Sequence, residues 1–149
     1  MAEVKPLLNQ LNLVVRDMDV TLAFYRRLGL EIPDASVWRT SSGAHHCEVT
    51  MPNGMSLEFD SEALAKCYNA GWQRSAAGGC PGVVGFSLPS REAVDERYAE
   101  LTAAGYSGRQ PPYDTFWGAR YAIVEDPDGN HVGLMSPLDP KRRSAPPEI

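Results

Sequence analysis

Two periods alternate along this chain. Residues 11–15, LNLVV, form a short, mostly apolar run of the kind that makes a strand. The period then becomes helical, with Leu22, Tyr25 and Leu28 in one stripe, Asp17 or Asp19 placed to cap the start, and Gly29 suited to a left-handed stop. The same succession returns downstream. VVGFSL at 83–88 reads as a strand, Ser90 as a cap, Val94, Tyr98 and Leu101 as the stripe, and Gly105 as the stop.

A second phrase is also written twice. TMPNGMSLEFDS at 50–61 matches EDPDGNHVGLMSP at 125–137, with Pro52 and Gly54 recurring as Pro127 and Gly129. Each copy reads as strand, tight turn, strand. A type I turn followed by a glycine bulge sets Met51 opposite Met55 and Asp126 opposite Asn130. Counting outward, Glu48 faces Glu58, His46 faces Asp60, Ile123 faces Gly133 and Tyr121 faces Met135. Strand side chains alternate with period two, so these residues share one face with Gln10, Asn12 and Val14, and in the second half with Val83, Gly85, Ser87 and His131. The opposite faces carry Leu11, Leu13, Val15, Leu57, Phe59, Val84, Phe86, Leu88, Val132 and Leu134, and form the expected core.

Each half is therefore a βαβββ module, and the fold class is α+β. Module one spans 8–62 and module two 82–137, with a linker at 63–81 and a loose Pro-containing tail at 138–149. The Gly- and Ala-rich stretch 66–82 reads as a linker or mobile loop. All 149 residues are taken as a single domain built on the duplication.

The mixed face has two possible settings, water or the wall of a cavity. Tyr113, Phe116 and Trp117 favour a cavity, because large aromatics beside a mixed face suit a pocket. Composition narrows the function further. A hydrophobic content of 43% and a charged content of 22% are ordinary for a globular protein, and the net charge of −5 argues against nucleic acid as a partner. Lys141-Arg142-Arg143 reads as a solvated tail. No apolar run is long enough to span a membrane, and MAEVKPLLNQ lacks the pattern of a secretory leader, so a cytoplasmic location is expected. Cys47, Cys67 and Cys80 are odd in number and lack CxxC spacing, which points to reduced thiols.

Paired βαβββ modules, VVRDMDVTLAFYRRLGL opening the first and YAIVEDPDGNHVGL closing the second, resemble the vicinal-oxygen-chelate superfamily. That group includes glyoxalase I, bleomycin and fosfomycin resistance proteins and extradiol dioxygenases. The resemblance covers roughly residues 8–137. It implies that the modules curl into a U-shaped half-open barrel with helices outside and the active site in its cleft. A homodimer is also implied.

The resemblance places a divalent metal on Gln10, Glu58, Val83 and Gly133. Gln10 and Glu58 offer oxygens, whereas Val83 and Gly133 offer no side-chain donor, so the family metal is expected to be absent. Gln10 and Glu58 remain the residual metal candidates. The metal-free relatives imply a non-catalytic binder of a small organic molecule, an aromatic or cationic antibiotic. The expected ligand-binding residues are Gln10, Asn12, His46, Glu48, Glu58, Trp117, Tyr121 and His131. The alternative is an enzyme of lyase, isomerase or dioxygenase type. There Glu58 would be a metal ligand or an acid/base, because two facing carboxylates resist ionising together.

Overall fold

In the computed structural model, which describes residues 5–148, β1 (Gln10–Val15) leads into α1 (Met18–Leu28), β2 (Val37–Arg39), β3 (His45–Thr50), β4 (Ser56–Ser61) and α2 (Glu62–Tyr68). Then come β5 (Val83–Ser87), α3 (Arg91–Ala103), β6 (Gly108–Asp114), β7 (Arg120–Glu125) and β8 (His131–Met135). The described residues divide into two compact units that part between Gln73 and Arg74. Each unit carries one open four-stranded mixed sheet, ordered β1-β4-β3-β2 in the first and β5-β8-β7-β6 in the second. Residues 1–4, which begin the stretch assessed above for a leader, and Ile149 lie outside the described residues. Among the described residues no helix is long and apolar enough to cross a membrane.

In the first unit the Asp17 carboxylate accepts from the Val20 amide and starts α1. The helix presses Leu22, Phe24, Tyr25 and Leu28 onto the sheet, where the Tyr25 and Phe59 ring centroids lie 4.8 Å apart. Leu13, Val15, Cys47 and Leu57 complete that core. The expected register holds here, with His46 opposite Asp60 and Glu48 opposite Glu58. Leu11 is an exception to the expected core. It sits near the start of an edge strand and is 37% exposed.

In the second unit Ser90 caps α3 through the Ala93 amide, and Val94 and Leu101 are buried with Val84, Val124, Val132 and Leu134. Phe86 and Leu88 are only half-buried, because β5 is also an edge strand. Tyr121 stands opposite Met135 and Ile123 opposite Gly133, as the turn chemistry requires. The strand β6 contains Pro111 and Pro112, which lack the amide a central strand needs. It lies at the sheet edge, and its pairing with β7 shifts register between Gly108 and Gln110 and again across the prolines, between Gln110 and Tyr113.

Three segments differ from the sequence expectation. α2 lies largely within the stretch read as linker. Ser61 begins it by accepting from the Leu64 amide, a cap signal overshadowed by the Gly- and Ala-rich run that follows. The end of that run is hydrogen-bonded to the opening turn of β8. The Gly79 amide bonds to the Asp128 carbonyl at 3.0 Å and the Cys80 amide to Asn130 Oδ1 at 2.8 Å. A Cβ on Gly79, whose φ is +64°, would collide with the Gly129 carbonyl. The tail from 138 is likewise attached, since the Asp139 amide bonds to the Gly118 carbonyl and the Ser144 amide to the Phe116 carbonyl.

The turn itself is organised by Asp126, which is almost fully buried. Its carboxylate accepts from the Asp128 amide, the Asn130 amide and the Asn130 side chain, each at 2.9 Å. Asp126→Ala leaves three buried donors unpaired. It should lower unfolding stability by about 3 kcal/mol in urea titrations, with the denaturant slope unchanged.

Candidate functional site

The mixed face of the first unit is a hydrogen-bonded network centred on Asp60, a carboxylate only 2% exposed. It accepts from Asn12 Nδ2 at 2.6 Å and the Tyr68 hydroxyl at 2.8 Å, and pairs with His46 Nδ1 at 2.6 Å. Asn12 Nδ2 also donates to Glu58 Oε2 at 3.1 Å. Glu48 and Glu58 face each other across the strand pair, but each has its own donor, since Ser56 Oγ supplies Glu48 at 2.9 Å. The Trp38 ring stands beside the His46 imidazole, centroids 5.4 Å apart and planes 31° from parallel. Partial burial first, then the hydrogen bond to Asp60 and the charges of Asp60 and Glu58, push the Tyr68 phenol up to about 12.

The second unit holds a pocket of about 300 Å³ lined by Val83, Gly85, Phe86, Ser87, Trp117, Tyr121 and Met135. Its aromatic wall is held in place by a short turn. Thr115 Oγ bonds to both the amide and the carbonyl of Ala119, and the Gly118 amide bonds to the Thr115 carbonyl. Trp117, between them, meets Tyr121 edge-on at 5.7 Å and Phe116 at 5.1 Å. Burial, then the neighbouring Tyr113, pushes the Tyr121 phenol above its ordinary range. The Tyr121 ring also lies over Gly133. A Cβ there would stand 2.8 Å from the Tyr121 hydroxyl and 3.0 Å from Val83 Cγ1.

The expected ligand-binding residues thus fall into three groups. Asn12, His46, Glu48 and Glu58 share the mixed face of the first sheet, with Gln10 exposed at the start of β1. Trp117 and Tyr121 line the pocket. His131 is exposed at the start of β8, opposite Glu125, and is not among the pocket residues. Asp60 and Tyr68 join the network although the sequence reading did not single them out as ligand-binding residues. Asp60 was legible as the partner of His46, whereas Tyr68 required the helix α2.

The residues present do not fit the divalent metal that the family resemblance implies. Val83 offers only methyl groups, Gly133 has no side chain and its space is taken by Tyr121, and one Glu58 oxygen is engaged by Asn12. Among the described residues no three His, Cys, Asp or Glu side chains come together to hold a metal ion.

Two βαβββ units, each with an open sheet and a mixed face, define a protein of the glyoxalase type. The chain belongs to the Glyoxalase/Bleomycin resistance protein/Dioxygenase superfamily, whose sequence model matches residues 7–134. An uncharacterized protein of Mycobacterium bovis is 26% identical over 86 residues, which are 58% of this chain and 55% of that protein. The chain spans about half the length of the curated relatives it matches. A glyoxalase/bleomycin resistance protein/dioxygenase family enzyme from Burkholderia phytofirmans superposes with a TM-score of 0.70 at 21% identity, covering 88% of this chain and 98% of that one. The fosfomycin resistance protein FosX from Listeria monocytogenes gives 0.66 at 16% identity, covering 95% of this chain and 100% of that one. At these identities the likeness is one of fold.

Two outcomes follow from the geometry. Gly133→Ala should cost about 1–3 kcal/mol by crowding the Tyr121 hydroxyl, and adding Tyr121→Phe should recover part of that loss in a double-mutant cycle. The folded protein keeps the Tyr68 proton that the unfolded chain releases near pH 10. Its contribution to stability is therefore full below pH 10 and is lost as pH rises toward about 12. Denaturant titrations across that window should show a component that Tyr68→Phe lacks.

Proposed function

We propose that the protein binds a small organic molecule with a planar ring, an aromatic or cationic antibiotic being the favoured class, and that it does so without the family metal. The observation that carries this reading is the pocket of about 300 Å³ with Trp117, Tyr121, Phe86 and Met135 around it. That volume lies at the small end of ligand sites, enough for one or two rings. Offset or edge-on aromatic contacts contribute about 0.5–1.5 kcal/mol per pair beyond burial, and a thioether adds a polarizable contact. Among the described residues no protein group bonds to the Tyr121 hydroxyl, so it is available to orient a polar substituent. The overall negative charge supports a cationic ligand through attraction at long range. The reading includes a homodimer, checked by sedimentation.

A second reading makes the chain an enzyme with Glu58 as its acid or base. It is favoured by the hydrogen-bonded path from Glu58 through Asn12 to Asp60. Retention of ligand affinity together with full turnover in Glu58→Gln would count against it.

The binding proposal is tested by Trp fluorescence and thermal shift across a panel of planar aromatic drugs. At least one cationic member should quench fluorescence and raise Tm, and Trp117→Ala should weaken its binding at least about tenfold. A panel that moves neither signal would sink the reading.

A further inference from the structure

We infer that His46 and Asp60 form a general-base dyad, with His46 Nε2 taking a proton from the O–H of a bound water or hydroxylated small molecule. Asp60 anchors the arrangement. Its carboxylate is 2% exposed and is held by three side chains from separate elements, Asn12 on β1, His46 on β3 and Tyr68 on α2. An ionised carboxylate only accepts hydrogen bonds. In the neutral imidazole the 2.6 Å bond to Asp60 therefore puts the single ring proton on Nδ1 and leaves the lone pair on Nε2.

His46 Nε2 is the free end of this arrangement. It has no hydrogen-bond partner among the described residues, and it is not one of the buried unsatisfied atoms, so it keeps contact with solvent. The imidazole side chain is 20% exposed and flanked by Trp38, which limits how the ring can swing. The groups facing His46 are Asp60 and Glu58 from β4, Glu48 from β3 and, through Asp60, Tyr68 from α2. Among the described residues no serine, threonine or cysteine bonds to Nε2, so the nucleophile comes from outside the chain. This assignment moves the base from Glu58 to His46, and it uses none of the residues that line the aromatic pocket.

With water as the nucleophile and an activated ester as the electrophile, the step balances. The Nε2 lone pair takes one proton from water, the water oxygen bonds to the acyl carbon, and the carbon–oxygen bond to the leaving group breaks with its electron pair. The leaving phenolate or solvent then recovers the proton from the imidazolium. Asp60 is a positioning residue here, because it sets the tautomer and steadies the imidazolium without touching substrate.

The first test reads the tautomer directly. Imidazole ¹⁵N shifts of the wild type at pH about 9, above the ordinary imidazole range of about 6.5, should show the Nδ1–H form for the signal that His46→Gln removes. An Nε2–H form, or an imidazolium persisting at that pH, overturns the proposal. Asp60→Asn should invert the tautomer, which a merely structural role for Asp60 would not do; an unchanged tautomer overturns the role given to Asp60. The second test follows p-nitrophenyl acetate hydrolysis. His46→Gln should lower the protein-dependent rate at least about tenfold, while His45→Gln leaves it unchanged. The wild-type rate should fall in heavy water. Equal rates for wild type and His46→Gln, or a rate indifferent to heavy water, overturn the base assignment.

Discussion

A β-strand sends successive side chains to opposite faces, so one extra residue in a turn decides which half of a strand meets the core. In both units that residue is a glycine in the left-handed region, Gly54 with φ +90° and Gly129 with φ +84°. The facing of the paired strands follows from those two turns. They put Leu57 and Phe59 inward and Glu58 and Asp60 on the mixed face, and they put Val132 and Leu134 inward with Gly133 on the face of Tyr121. A slip of one residue would bury Glu58 in the apolar layer under α1 and expose Phe59.

Inside the first unit the register creates a problem and solves it. Asp60 is forced to a site with almost no access to water, where an unpaired carboxylate is costly by several kcal/mol. Three hydrogen-bonding partners from three elements meet that cost. Tyr68 therefore ties α2 to the sheet through a hydrogen bond to that charge. In the second unit the equivalent face has no such charge, and aromatic packing around Tyr121 takes over the same structural task.

Much of this was legible in the sequence because local rules governed it. The cap at Ser90, the choice of Asp17 or Asp19 as the other cap, the buried stripe of α1 and the pairing of His46 with Asp60 follow from turn chemistry and periodicity, whereas in α3 Val94 and Leu101 are buried but the third stripe residue, Tyr98, is only half-buried. The unreadable parts depended on contacts distant along the chain. α2 is short, and one side of its value lies in Tyr68 reaching Asp60. The stretch around Gly79 looked mobile by composition but bonds to a turn some fifty positions later, as the Cys80–Asn130 separation shows. The tail looked loose because prolines and charges say nothing about the carbonyls of Phe116 and Gly118 that receive its amides. Whether Gly133 was an empty position or a covered one depended on the rotamer of Tyr121.

The covered glycine also makes the two halves unequal at one matching strand position. Glu58 carries a carboxylate on the mixed face of its sheet, whereas at Gly133 the phenol ring of Tyr121 and a methyl of Val83 fill the room a side chain would use. The duplicated phrase therefore ends in two different surfaces, one that carries charge and one that carries a ring.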